Sequence, residues 1–317
     1  MPAITSTAPG KIIIFGEHAV VYGRPAIAVP VNQVRARAAI MAEPKKPPGE
    51  VFIDAPDIDL KTSLAELKEA HPIKQAIIGV KTSLGISNLP AFTVRITSTI
   101  PVSAGMGSGA AVSAAVIRAL STFLGHPLPD EEVSRLVYEV EKIHHGTPSG
   151  IDNTVITYAQ PVYYVRGEPI ERLFINRPIT LVVGDTGISS STADTVADVR
   201  RAWEANRTRY ETYFNRIAEI SKNARIIIES GDPEALGPLM DLNHDLLVEV
   251  GVSSPELDSL VETAREAGAL GAKLSGGGRG GNMIALVPEE TTSFVSNALK
   301  DGGAVKVFTT RIRNIEN

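Results

Sequence analysis

The sequence contains no cysteine and a single tryptophan among its 317 residues. Without cysteine the chain has no disulfide framework, no thiolate metal ligand and no thiol nucleophile, which fits a reducing compartment. It also lacks an apolar run of membrane-spanning length. Its first residues show no charged segment followed by a long apolar core, so no signal peptide is expected. These absences predict a soluble, cytoplasmic protein.

An excess of basic residues is missing too. The chain has 36 acidic and 31 basic residues, a net charge of −5, and no basic block. A protein that binds the phosphate backbone of nucleic acids is therefore not expected. The hydrophobic content of 43% is that of an ordinary globular protein, and the length allows one large or two medium domains.

Strands dominate the predicted elements of the first third of the chain. Short runs of β-type residues predict strands at 11–15, 33–41, 50–53 and 92–97. The polar, Pro-rich segment 43–50 predicts a hairpin tip between the second and third of them. Helices are then predicted over 110–124, which closes on Gly125, and over 131–143, with Asp130 as the N-cap.

The second half of the chain mixes both element types. Strands are predicted at 155–158, 162–165, 179–183 and 283–287, one long helix at 192–229, and further helices at 233–250 and 254–266. Because strands and helices do not alternate regularly, the pattern predicts an α+β fold. The change in pattern near residue 175 predicts two domains, 1–174 and 175–317.

One glycine-rich stretch has the chemistry of a phosphate site. "PVSAGMGSGAA" (101–111) sets three glycines and Ser108 at the entry to a predicted helix. Glycines let backbone N–H groups turn toward an anion, and a helix N-terminus favours negative charge. The stretch ends without the Gly-Lys-Ser/Thr of a Walker A loop, and it fits a dinucleotide fingerprint poorly. A plain helix cap remains the alternative.

Three further stretches concentrate polar groups beside apolar runs. "APGKIIIFGEHAVVYG" (8–23) carries Lys11 before an apolar strand and Glu17 and His18 after it. A lysine at a strand start is usually a solvated charge, whereas a Glu-His pair behind a buried strand often faces a site. "HGTPSGIDNTV" (145–155) presents Asp152 behind a tight turn. "KLSGGGRGGNM" (273–283) is a second glycine loop, or a simple hinge.

Together these stretches resemble, in the right order, the motifs of the GHMP kinases, a family that includes galactokinase, homoserine kinase, mevalonate kinase and phosphomevalonate kinase. The resemblance runs from about residue 7 to residue 287. Within the family, "APGKIIIFGEHAVVYG" and "HGTPSGIDNTV" are most similar to the mevalonate kinase branch, and the galactokinase signature is absent. The implied fold pairs an N-terminal domain similar to the second domain of ribosomal protein S5 with a ferredoxin-like C-terminal domain.

The resemblance implies an ATP- and Mg²⁺-dependent phosphotransferase of isoprenoid biosynthesis that phosphorylates the C5 hydroxyl of (R)-mevalonate. The implied partners are mevalonate and ATP, with no nucleic acid and no membrane, and a homodimer is left open. Two alternatives remain: a sister kinase acting on phosphomevalonate or another small alcohol, and a catalytically dead binding homologue. A phosphorylated substrate would call for additional cations on the acceptor side, and the stretches around Glu17 and Asp152 offer none.

Residue roles follow from the same resemblance. Asp152 takes or polarises the proton of the attacking hydroxyl, and Lys11 lies near it and the γ-phosphate. Glu141 matches the Mg²⁺ carboxylate of the family, and the alternative is a surface glutamate that pairs with a neighbouring lysine. For Asp152 the alternative is a cap of the segment that follows it. The residues assigned to the nucleotide phosphates are those of the middle motif: Pro101, Gly105, Met106, Gly107, Ser108, Gly109, Ala110 and Ala111.

On the acceptor side, Glu17 and His18 match positions that contact mevalonate. Thr192 matches a threonine of the active-site polar network, although it could equally cap the long helix. His145 matches the histidine that precedes glycine in the family, whereas His144 reads as a charge at the end of a helix.

Two positions depart from the family pattern. Gly109 stands where mevalonate kinases have a serine that helps to hold Mg²⁺, so Ser108 is the hydroxyl left as a second metal ligand. Arg279 stands where the third motif has glycine, and it could contact phosphate or point to solvent. Both departures leave Lys11 and Asp152 untouched, so they put the metal geometry in doubt and not the activity.

Overall fold

The computed structural model describes residues 3–101, 105–145 and 148–314, without the side chains of His144 and His145. The predicted roles of those two histidines therefore lie outside the description. The chain divides into two compact units built from separate segments: unit 1 comprises residues 1–10, 32–101 and 107–159, and unit 2 comprises 11–31, 102–106 and 160–317. Two strands, β1 (Ile4–Phe15) and β2 (Ala26–Ala42), pair with each other and run through both units. The predicted division at residues 174 and 175 stays a prediction.

The sheet of unit 1 adds three strands to β2 in the order β4-β3-β5-β2. They are β3 (Val51–Ala55), β4 (Leu60–Ser63) and β5 (Phe92–Ser98). The predicted hairpin at 43–50 is wrong, because β5 lies between β2 and β3 and runs parallel to β3. The alternating burial of Phe92, Val94 and Ile96 gives β5 one fully apolar face, which suits this central position.

The described residues of unit 1 form four helices. They are α1 (Pro72–Ser83), α2 (Ser108–Phe123), α3 (Asp130–His145) and α4 (Ile151–Tyr158). The sequence predicted α2 and α3 to within two residues and missed α1. The strand predicted at 155–158 is wrong, because these residues form the end of α4. Gly150 in the left-handed conformation (φ 93°) starts this helix, and the Thr154 hydroxyl donates to the Gly150 carbonyl at 2.7 Å. A short β-branched run does not distinguish a buried helix from a strand.

In unit 2, β6 (Val162–Tyr164) pairs with the start of β2, and β7 (Glu171–Arg172) pairs with β6. A second sheet contains β8 (Ile179–Asp185), β9 (Gly271–Ser275), β10 (Asn282–Leu286) and β11 (Lys306–Ile312). All its pairs are antiparallel and its order is β11-β8-β10-β9. With helices between β8 and β9 and between β10 and β11, this is the predicted ferredoxin-like arrangement, and the α+β class is confirmed.

The helices of unit 2 are α5 (Thr192–Ala205), α6 (Arg207–Ser230), α7 (Leu236–Val250), α8 (Pro255–Glu266) and α9 (Thr292–Asp301). The single long helix predicted at 192–229 is wrong. Asn206 leaves the helical conformation (φ −144°, ψ 69°) and its side chain accepts from the Arg209 N–H at 3.3 Å, so it ends α5 and caps α6. Within residues 3–101, 105–145 and 148–314, no helix has the length and apolar character needed to cross a membrane.

Candidate active site

Residues 107–111 of the middle motif, for which the sequence predicts a phosphate cradle, form the N-cap and first turn of α2. Gly107 occupies the N-cap position in the left-handed conformation (φ 69°, ψ 34°), and glycine brings no side chain to cap the helix. Its carbonyl accepts from the Ala111 N–H at 2.9 Å, which starts the helix regularly. The first N–H groups of a helix have no acceptor within the helix, and this first turn contains no acidic residue. The local structure therefore suits an anion at Ser108 and Gly109.

Glu141 brings a carboxylate to the same turn. It lies near the end of α3 with 5% of its surface exposed, so the alternative of a solvated surface glutamate is wrong. A Cβ atom placed on Gly109 would lie 3.4 Å from Glu141 Oε1. A phosphate at the start of α2 would thus meet a buried carboxylate. A phosphate and a carboxylate in such proximity repel each other, and a cation between them removes the repulsion.

Asp152 lies in the first turn of α4, and not in a loop as the sequence suggested. Its side chain is half-buried. The next residue anchors the helix, because Asn153 Nδ2 donates to the Ser134 hydroxyl of α3 at 2.9 Å and both side chains are buried. The candidate base is therefore held by a rigid element, which a positioned catalytic group needs.

In unit 2, Lys11 is a buried residue of β1 with 4% of its surface exposed, so it is no solvated edge charge. Its backbone N–H donates to the Met106 carbonyl at 3.1 Å, which joins the first motif to the middle one. The predicted proximity of Lys11 to Asp152 concerns both units and stays a prediction.

Glu17 forms a buried ion pair with Lys273, and both side chains are 0% exposed. Lys273 Nζ also donates to the Leu274 carbonyl at 2.7 Å, and Asn243 Nδ2 lies 3.5 Å from Glu17 Oε2. Burial raises the pKa of Glu17 and lowers the pKa of Lys273, while each group's charge opposes the shift of the other's pKa. The charge of Lys11 also lowers the pKa of Glu17. Contact between Glu17 and a substrate stays a prediction, since the structure assigns its carboxylate first to Lys273.

Replacing Glu17 by glutamine is expected to destabilise the protein by about 3–5 kcal/mol, because the Lys273 ammonium would stay buried without a counter-charge. Denaturant unfolding of the wild type and the variant measures the difference. The matched control replaces both partners, Glu17→Leu with Lys273→Met, and should recover most of the lost stability since no charge is left buried. A single variant as stable as the wild type would contradict this account of the pair.

His18 and Thr192 meet at the third motif. His18 has a positive φ (59°), is 6% exposed, and has its Nε2 3.0 Å from the Gly277 carbonyl. Burial lowers the pKa of His18 to about 4, although the Gly277 carbonyl raises it. The ring is therefore neutral near pH 7 and donates its Nε2 proton to this carbonyl, which leaves Nδ1 as an acceptor. A Cβ on Gly277 would lie 2.8 Å from Thr192 Oγ1, so the threonine packs on the same glycine.

The alternative role of Thr192 as a helix cap is wrong, because the preceding residue performs it. The Ser191 hydroxyl accepts from the Asp194 N–H at 3.2 Å, and Thr192 is the first residue of α5. Arg279 is exposed, in line with the second of its predicted alternatives, and the phosphate contact stays a prediction. Its guanidinium binds Asp198 of α5 and the Gly251 carbonyl.

Sequence reasoning missed the interior partners of the site, namely Lys273, Asn243 and His244. His244 is 4% exposed, and its Nδ1 accepts from the Leu274 N–H at 3.3 Å. Asn243 and His244 fall on the buried face of α7, and polar residues on an apolar face are the signal that could have identified them. In the parts of the chain that the structure describes, no group of three or more His, Asp and Glu side chains could by itself hold a metal.

Comparison with known proteins agrees with the motifs. Family models of the GHMP kinases match twice: the N-terminal domain over residues 71–160 and the C-terminal one over residues 224–305. A mevalonate kinase of Thermococcus gammatolerans is 40% identical over 322 residues, covering 96% of this chain and 95% of the relative.

Solved structures give the same picture. The L. major mevalonate kinase in complex with R-mevalonate has a TM-score of 0.83 at 31% identity, covering 99% of this chain and 97% of that one. The Methanococcus jannaschii mevalonate kinase has a TM-score of 0.85 at 29% identity, covering 98% of this chain and 99% of that one. With both halves of the family matched and relatives similar over almost the whole length, the chain belongs to the GHMP kinase family.

Proposed function

We propose that this chain transfers the γ-phosphate of ATP to the C5 hydroxyl of (R)-mevalonate, giving (R)-5-phosphomevalonate and ADP in isoprenoid biosynthesis. The observation that carries the proposal is the 40% identity with a mevalonate kinase over 96% of the chain. A phosphomevalonate kinase of Streptococcus pneumoniae is only 19% identical and supports the fold alone. The retention of Lys11, Glu141 and Asp152 argues against a dead homologue. We place the enzyme in the cytoplasm.

ATP binding is assigned to the middle motif. The N–H groups at the start of α2 would bind the phosphates, whose charge the helix field favours. The exposed Gly109 and the half-buried Ser108 leave the first turn accessible to them. Because phosphoryl transfer has a loose transition state, holding the phosphates in line with the acceptor supplies most of the catalysis.

The acceptor side is assigned to Asp152, Lys11 and His18. The Asp152 carboxylate accepts the proton of the attacking hydroxyl, and the Lys11 ammonium offsets the charge that develops on the phosphoryl oxygens. His18 offers its Nδ1 to a substrate hydroxyl, because Nε2 is engaged with the Gly277 carbonyl. Thr192 contributes a hydroxyl beside Gly277. In this assignment the buried Glu17–Lys273 pair holds the loop that carries His18.

Mg²⁺ fits the residues around Gly109. The buried Glu141 carboxylate faces the start of α2, where the nucleotide phosphates are assigned, and a cation between them removes the repulsion. Glu141 would hold the ion, with Ser108 as the nearest hydroxyl candidate. One or two protein ligands suffice, since Mg²⁺ usually keeps several waters and binds substrate phosphates. The bound ion would neutralise phosphate charge in the transition state.

A substrate panel tests the proposal. Mevalonate should exceed 5-phosphomevalonate, galactose and homoserine in kcat/KM, because the Lys273 charge is balanced by Glu17 and is not available to a second phosphate. Coupled ADP-release assays with each alcohol at equal enzyme concentration measure the order. Faster turnover of 5-phosphomevalonate would move the chain to the sister enzymes, and no ADP release with any alcohol would support the binding homologue.

A further inference from the structure

The glycine-rich loop of the third motif, residues 276–281, connects β9 to β10 and is called the third-motif loop. Neighbouring segments of unit 2 hold its backbone on both sides. The Ser190 hydroxyl donates to the Gly278 carbonyl at 2.6 Å, and the Gly281 N–H donates to the Ile188 carbonyl at 2.9 Å. On the other side the Arg279 N–H donates to the Val252 carbonyl at 2.8 Å. Each of these bonds fixes backbone that glycine would otherwise leave free.

The only non-glycine residue inside this loop, Arg279, adopts a conformation that suits glycine. Its φ is 58°, in the left-handed region that costs a non-glycine residue strain. Such a residue persists where other contacts compensate for the strain. Here the guanidinium binds the Asp198 carboxylate, and its Nε and one terminal nitrogen each lie 3.3 Å from the Gly251 carbonyl. Asp198 is also bound by Arg201.

The loop has little room to adopt another pose. A Cβ on Gly278 would lie 1.9 Å from the Val252 carbonyl oxygen, and one on Gly277 would lie 2.8 Å from Thr192 Oγ1. Gly277 stands two residues before Arg279 and supplies the carbonyl that binds His18. Whatever holds Arg279 therefore restrains the atom that orients the His18 ring.

We propose that the Arg279–Asp198 ion pair is a positioning element for the acceptor site. It fastens the third-motif loop to α5, and so holds the Gly277 carbonyl where it fixes the tautomer and orientation of His18. Arg279 acts through the loop and touches no reacting atom. This role rests on the proposed function, because His18 is assigned there to the acceptor.

Kinetics of four variants test the pair: Asp198→Ala, Arg279→Gly, the double variant, and Arg201→Ala as the control. Each of the first two should raise the KM for mevalonate about fivefold, with kcat and the KM for ATP within about twofold. The double variant should be no worse than either single one, because both remove the same contact. The control removes the other partner of Asp198 from the same helix face and should leave every constant unchanged.

Hydrogen exchange provides a second measurement that needs no activity. Amides of residues 276–281 should exchange faster in Asp198→Ala than in the wild type or in Arg201→Ala. Unchanged KM and unchanged exchange in Asp198→Ala would overturn the proposal, as would additive losses in the double variant. A wild type that does not phosphorylate mevalonate would refute the proposed function alone, and the exchange comparison would still decide whether the pair holds the loop.

Discussion

Replacing Asp152 by asparagine is expected to lower kcat by about 10²–10⁴-fold and to leave ATP affinity within a few-fold. The amide keeps the size and shape of the carboxylate at the start of α4 but cannot accept the proton of the attacking hydroxyl. Single-turnover kinetics with mevalonate and a separate titration with ATP measure the two quantities.

The control for this substitution is Asp194→Asn. Asp194 also lies in the first turn of a helix, α5, but is exposed there. Its replacement changes the helix charge in the same way without touching the assigned chemistry, so activity should stay near that of the wild type. If Asp152→Asn retains more than about a tenth of kcat, the catalytic assignment is wrong.

Replacing Glu141 by glutamine is expected to reduce activity at limiting Mg²⁺ by roughly 10–100-fold, with part of the loss recovered at high Mg²⁺. The amide still fits beside Gly109 but carries no charge to attract the ion. Glu139→Gln on the same helix is the control, because that exposed carboxylate pairs with Lys142. Titrations of activity against Mg²⁺ at fixed ATP compare the two variants.

Two further variants test the other residues proposed to lie at the metal. Gly109→Ser should be mild or should tighten the use of metal, since its Cβ would meet Glu141 Oε1 at 3.4 Å without a clash. Ser108→Ala shows whether this hydroxyl is a ligand: a large loss of kcat assigns it to the metal, and a small loss leaves water in its place. Glu141→Gln with an unaltered Mg²⁺ requirement would refute the assignment of the ion to Glu141.

Local sequence patterns were sufficient to predict the helices α2 and α3. The glycines before α2 predicted a phosphate-type helix start, and the apolar spacing of α3 predicted its bounds to within two residues. The errors arose where two elements compete for similar residues. The run at 155–158 is compatible with a strand or a helix. Only the structure shows that Gly150, in the left-handed conformation, starts a helix that includes this run. Asn206 similarly separates α5 from α6 by capping the second helix. The periodicity of apolar residues continues across it and does not indicate this break.

The interior of the site could not be predicted because its partners are far apart in the chain. Glu17 and Lys273 are separated by 256 residues, and the sequence around either residue does not indicate that the two pair. The pairing of β3 with β5 instead of β2 also depends on the completed sheet. The motifs thus predicted the residues to which the chemistry is assigned, whereas the buried groups around them became visible only in the structure.

The interleaved segments of the two units determine the order in which they can fold during synthesis. Unit 1 is complete once residue 159 has left the ribosome, whereas unit 2 combines residues 11–31 and 102–106 with 160–317. The first half of β2 therefore pairs with β6 only late in synthesis, because Ala28 pairs with Val162. The central strand β8 likewise waits for β11 at the end of the chain. Contacts of such long range form slowly. Until they form, the apolar segment 11–31 is accessible to chaperones and prone to aggregation.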